Sequence, residues 1–146
     1  MTIQQISVFL ENRAGQLAEI TSLLADSNIN LRAIHIAETS DYGVLRMIVD
    51  QPQHTANLLL EHGFILSMTP VIAIVVPDEP GALGRVLTIL AKENIDVEYM
   101  YSVFGQVNGR ACMVFRVADI QRLASLLEAN EIYPAPYEEL GIRKES

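Results

Sequence analysis

The sequence predicts an α+β protein made of two tandem copies of one βαββαβ unit, residues 1–69 and 70–146. Three observations carry this. The first is an internal similarity at an offset of 66 residues. Ile6-Ser-Val-Phe-Leu10 lies over Ile72-Ala-Ile-Val-Val76, Asn12-Arg-Ala-Gly15 over Asp78-Glu-Pro-Gly81, and Asn28-Ile29-Asn30 over Asn94-Ile95-Asp96. The second is that strand-like and helix-like periodicities follow in the same order in both halves. The third is that the shared identities fall on turn and core positions, as a duplicated fold requires.

The first strands are expected at about 3–10 and 70–77, short, β-branched and apolar. Helices follow at about 15–27 and 81–93. Leu17, Ile20 and Leu24 are spaced for one helical face, as are Leu83, Val86, Leu87 and Leu90. Pro80 suits a helix start, where its missing N–H is no loss. Asn28 and Asn94 suit a helix stop, because asparagine accepts the left-handed conformation found there. Middle strands are expected at about 29–38 and 43–50, then 95–105 and 110–117. Leu45, Met47 and Val49 form one core face; Ala111, Met113, Phe115 and Val117 form the other. Second helices should run at about 52–62 and 119–129, with Ile120, Leu123, Ala124 and Leu127 as the clearest stripe. Last strands begin at Phe64 and near Glu131, the latter curtailed by Pro134 and Pro136; the tail from Tyr137 is unassigned. Two helices on one face of a four-stranded antiparallel sheet is the ferredoxin-like plan, here with two sheets expected side by side.

A copy of about 66 residues buries little and is marginal alone. The outer sheet faces carry Val44, Ile48, Val71, Val75 and Val114, which predicts sheet-to-sheet or chain-to-chain packing, and a homodimer is expected. Net charge is −8, from 10 basic and 18 acidic side chains, and each half holds −4. Neither half offers the basic face that a phosphate backbone requires, so nucleic acid is not an expected partner. No apolar run approaches a bilayer span, and no basic region precedes an apolar block at the N-terminus, so a cytoplasmic protein is expected without membrane contact.

Chemistry is best sought in the loops between first strand and first helix, Glu11 to Leu17 and Asp78 to Leu83. A glycine at a helix start leaves the first N–H groups unshielded, and with the helix dipole they favour a carboxylate or other anion. Asn12 and Asp78 could accept a hydrogen bond from an ammonium group. An anion site beside a cation acceptor suits a zwitterion, whereas Asp78 and Glu79 would repel a phosphate. The same residues also serve as ordinary helix caps and turns.

The Asn12-x-Ala-Gly15-x-Leu17 and Asp78-x-Pro80-Gly81-x-Leu83 loops, followed by Asn28-Ile29 and Asn94-Ile95, resemble the ACT domain family, over about residues 3–69 and 70–135. The resemblance is to small tandem-ACT proteins with no catalytic domain. It implies a regulatory module, with amino-acid ligands held between paired domains. The loop contributes Asn12, Gly15, Gln16 and Leu17, or Asp78, Gly81, Ala82 and Leu83. The partner domain contributes Asn94 and Ile95, or Asn28 and Ile29. Ala14 stands where the family has proline and Asn12 where aspartate is commoner, so the first loop could be looser or differently selective.

Three readings follow. One is a non-catalytic amino-acid sensor that regulates an enzyme in trans; another is an interaction module whose loops are only caps. The third, a small acyl phosphate hydrolase, finds only a faint echo in Arg13 and Asn12, and no nucleophile–base pair is visible. No cofactor or metal is expected. His54 and His62 stand about 12 Å apart on one helix, and His35 has no spaced partner. Cys112, the single cysteine, lies between Arg110 and Arg116, which could lower its pKa, although packing explains it better. Tyr99, Tyr101 and Phe104 read as core or interface aromatics. Glu11, Glu19, Glu79 and Glu93 read as solvated helix-end charges.

Overall fold

The computed structural model describes residues 2–11, 13–38, 42–105 and 109–145. Its elements in chain order are β1 (Ile3–Glu11), α1 (Gln16–Asp26), β2 (Leu31–Glu38), β3 (Tyr42–Val49), α2 (Pro52–Glu61) and β4 (Leu66–Pro77). They continue with α3 (Ala82–Lys92), β5 (Tyr99–Ser102), β6 (Arg110–Arg116), α4 (Ile120–Ala129) and α5 (Tyr137–Leu140). The chain divides into two compact units. The first comprises Gln4–Thr69 with Gly141–Ser146, the second Met1–Ile3 with Pro70–Leu140.

In the first unit the strands lie in the order β2-β3-β1-β4. Both β1 and β2 run antiparallel to β3, with Ile6 and Ile34 each opposite Met47. Ile20, Leu24 and Leu59 from the two helices pack with Ile6, Val8, Leu45 and Met47 from the sheet. In the second unit the order is β4-β6-β5, with Ile72 opposite Phe115 and Tyr101 opposite Val114, again antiparallel. Val86, Leu90, Leu123 and Leu127 close over Ile72, Ile74 and Phe115. Each such side chain, fully removed from water, favours the fold by about 1.5–3 kcal/mol. This is the βαββαβ plan the periodicities predict, with the expected faces inward.

The four long helices stop in one way. After α1, the Ile29 N–H donates to the Leu24 carbonyl and the Asn28 N–H to the Ala25 carbonyl, with Asn28 at φ 55°. After α3 the same bonds join Ile95 to Leu90 and Asn94 to Ala91, with Asn94 again at φ 55°. These are Schellman stops, which satisfy carbonyls the helix leaves free. Gly63 (φ 83°) and Glu131 (φ 57°) take the left-handed position after α2 and α4.

Four details depart from the sequence reading. The strand expected from Phe64 and the strand expected at 70–77 are one uninterrupted β4. Pro70 does not break it, since proline fits extended backbone where its nitrogen owes no ladder bond, and its carbonyl accepts from Arg116 Nη1 at 3.0 Å. β5 spans four residues rather than the expected 95–105, because Ile95 and Val97 leave the helix stop packed against the core instead of joining the ladder. The last strand of the second copy shrinks to one bridge, Ile74 to Pro134, with the Ala135 N–H donating to Ala73; Pro134 and Pro136 cannot donate. The tail forms α5 and then joins the first unit. Of the outer-face residues, Ile48, Val71 and Val114 are buried and Val44 and Val75 half-buried.

Candidate functional site

Both loop glycines sit at the helix N-cap with nearly identical backbone, φ/ψ of 87°/−9° at Gly15 and 84°/−9° at Gly81. This left-handed conformation costs an L side chain about 1–2 kcal/mol. Glycine is therefore required by conformation, beyond the access it gives to the first helical N–H groups. A Cβ at Gly15 would meet nothing within 4 Å, and at Gly81 only Arg85 Nη1 at 3.5 Å. Both helix starts are open to an approaching group.

The loops share a brace. The Arg13 N–H donates to the Glu11 carbonyl and the Glu79 N–H to the Pro77 carbonyl, each at 2.9 Å. Across each loop runs an ion pair, and its polarity is reversed between the copies. Arg13 in the first loop meets Glu19 on α1 at 3.1 Å; Glu79 in the second meets Arg85 on α3 at 2.9 Å. The positions correspond under the 66-residue offset. The duplicated geometry has kept the pair and exchanged its charges.

In the first unit, Gly15, Gln16 and Leu17 line a cavity of about 270 Å³ together with Ile36, Tyr42 and Gly43. That is near the lower end of the roughly 300–1,000 Å³ usual for ligand pockets. Gln16 is buried, and its Oε1 accepts from the Glu11 N–H at 2.8 Å, so its side chain shapes the loop from within. Asn12 lies outside the described residues. In the second unit the buried Ala82 lines a larger cavity, about 540 Å³, with Arg85, Arg110, Glu131 and Glu139 also in its walls. It opens where the last strand is reduced to a bridge. Asp78, Gly81 and Leu83 are on the same loop but outside those walls.

The other expected residues gather elsewhere. Asn28 and Ile29 line a cavity of about 360 Å³ with Asp50 and Arg143. Asn94 and Ile95 line one of about 240 Å³ with Asp119 and Arg122. Within a unit the loop and the following strand start lie at opposite ends of an 11-residue helix, about 16 Å apart. Neither unit unites them by itself. Ile36, Tyr42, Asp50 and Arg143 escaped the sequence reading. Asp50 carried a signal, a lone carboxylate closing an apolar strand; Arg143 carried none.

Among the described residues no group of three or more His, Cys, Asp or Glu side chains could hold a metal. The arginines near Cys112 do not activate it. Burial, with the negative charge of Glu139, pushes its thiol up to about 11, which keeps it protonated and inert at neutral pH.

The profile of the ACT domain pair family matches residues 1–134. The chain belongs to that family. ACT domains are regulatory modules that bind amino acids and often oligomerise. A protein of Bacteroides thetaiotaomicron known from its crystal structure is 38% identical to this ACT domain pair, covers 97% of this chain with 96% of its own, and superposes with a TM-score of 0.89. The regulatory subunit of aspartate kinase from Thermus thermophilus, in a ligand-free form, shares the fold at 15% identity and a TM-score of 0.62, over 88% of this chain and 90% of its own. The corresponding subunit from Thermus flavus does so at 15% and 0.59, with the same coverage. No curated protein matches. Among the described residues no helix is long and apolar enough to cross a membrane.

Proposed function

We propose that this ACT domain pair is a non-catalytic cytoplasmic regulator that binds a free amino acid and passes its presence to an enzyme partner in trans. Each ligand is gripped by a helix-start loop of one ACT unit (Asn12, Gly15, Gln16 and Leu17, or Asp78, Gly81, Ala82 and Leu83) and a strand start of another (Asn94 and Ile95, or Asn28 and Ile29), with the chain acting as a homodimer. The observation that carries the reading is the pair of open left-handed glycine caps, the same to within a few degrees in both copies. Such a start offers a positive dipole end and first-turn N–H groups to a carboxylate, with the Ala82 N–H in the second copy also donating to the Glu79 carbonyl at 3.3 Å. Native-state binding raises apparent stability by about 2.7 kcal/mol at a hundredfold excess over Kd. A melting screen across the twenty amino acids is expected to show a shift for one or a few of them, and a flat screen removes the sensor reading.

One observation favours the interaction-module reading instead. Phe9 stacks on Tyr42 at 5.0 Å between ring centroids, and both rings stay about two-fifths exposed beside the equally exposed Ile36. Exposed apolar groups of this kind suit a protein partner. Replacing Gly15 and Gly81 with bulkier residues separates the two: a sensor loses its melting shift, whereas a pure interaction module keeps its partner.

A further inference from the structure

The tail beyond the family match is sutured onto the first unit at two points. At the first, the Arg143 N–H donates to the Asp50 carbonyl at 2.7 Å, and Arg143 Nε lies 3.3 Å from Asp50 Oδ2. Asp50 is buried, and its Oδ1 accepts from the Asn30 N–H at 2.9 Å. At the second, the Glu145 carboxylate accepts from the Gln53 and His54 N–H groups, each at 2.8 Å, and so caps the start of α2. Gly141 turns the chain into this strap with a left-handed φ of 72°. The strap thereby brings Arg143 to the wall of the cavity that holds Asn28 and Ile29.

We propose that Arg143 is a ligand-binding residue of that half-site, presenting its guanidinium to a carboxylate of the bound molecule, and that the strap is the element that positions it. The inference rests on the amino-acid-binding reading. Asp50 is a positioning residue. A guanidinium carries five N–H donors, and with Nε at Asp50 the four on the Nη groups suit a second carboxylate in the paired geometry arginine favours. The Arg143 side chain is 60% exposed, so a solute can reach it, while the Asp50 side chain at 5% is a fixed anchor. The carboxylate could be a ligand's α-carboxylate or the side chain of an acidic amino acid, and the test distinguishes them.

Calorimetric titration of the full chain with the amino acid selected by melting, with its carboxamide, and with aspartate and glutamate reads the inference directly. Arg143→Ala is expected to weaken the amino acid at least tenfold and to leave the carboxamide unchanged if the α-carboxylate is bound. A loss confined to aspartate and glutamate assigns the side-chain carboxylate. Arg143→Lys should recover part of the affinity. Hydrogen exchange at Gln53 and His54 in each variant reports whether the strap stays docked, so a lost ligand contact is separated from a lost strap. Unchanged affinity in Arg143→Ala overturns the inference while the sensor reading stands. If no amino acid binds the full chain, the sensor reading falls. Acetate titrated against the Arg143 Nε–H resonance then decides the inference, and an unmoved resonance overturns it.

Discussion

Single residues set the backbone at the loops and helix stops, and their effects are separable. Gly15→Ala is expected to cost about 1–2 kcal/mol in denaturant unfolding, although nothing occupies the space a Cβ would fill. The cost is conformational, so Gly15→Asn should recover part of it, asparagine being the residue that best tolerates φ above zero. Glu131 shows the reverse case. It holds φ 57° where the first copy has Gly63, so Glu131→Gly should raise the unfolding midpoint by the equivalent of about 1 kcal/mol. Cys112 gives a pH test. Its folded pKa is raised to about 11, so the unfolded chain loses the proton first and the contribution is intact below about pH 9. It is lost as pH climbs toward 11, by roughly 2–3 kcal/mol in all. Comparing unfolding at pH 8 and pH 11 in the parent chain and in Cys112→Ala isolates that slope; equal slopes refute it. At this scale the sequence was read well where chemistry is local. Asn28 and Asn94 take the left-handed stop their side chains suit. Cys112 is the packed thiol that the sequence favours, and burial outweighs any influence of Arg110 and Arg116 on its charge.

Whole elements are held by pattern, and the pattern was visible because each helix must bury one stripe. The loop ion pairs belong to this scale. Arg13–Glu19 and Glu79–Arg85 occupy equivalent places with opposite polarity, and all four side chains are about half exposed. Exposed pairs contribute about 0–1 kcal/mol. The exchange Arg13→Glu with Glu19→Arg should keep the loop pair in the second copy's polarity but lose the 3.6 Å contact of Arg13 with Glu11, where the second copy has Pro77, and so leave stability within about 1 kcal/mol of the parent. Either single change puts like charges together and should cost more than the double, a difference that a double-mutant cycle measures. Element boundaries were the less legible part. Nothing local tells a strand ending at Thr69 from one that continues through Pro70, because an extended proline fits both. The shortened β5 likewise follows from what Ile95 and Val97 pack against, a fact of the core and not of their neighbours in sequence.

At the scale of the molecule, the repeat was legible and the use of the ends was not. An offset of 66 residues reveals duplication, but no periodicity marks a tail that docks through backbone bonds and two carboxylates. β4 runs without a break from the last strand of one unit into the first strand of the next. The tail has a consequence for biosynthesis. Residues 141–145 complete the first unit, yet they leave the ribosome only after the whole second unit has been made, several seconds later at ordinary elongation rates. Until then the emerging N-terminal half carries a buried-type carboxylate with no arginine beside it and a helix with no cap, so it should mature only after residues 141–145 have been made.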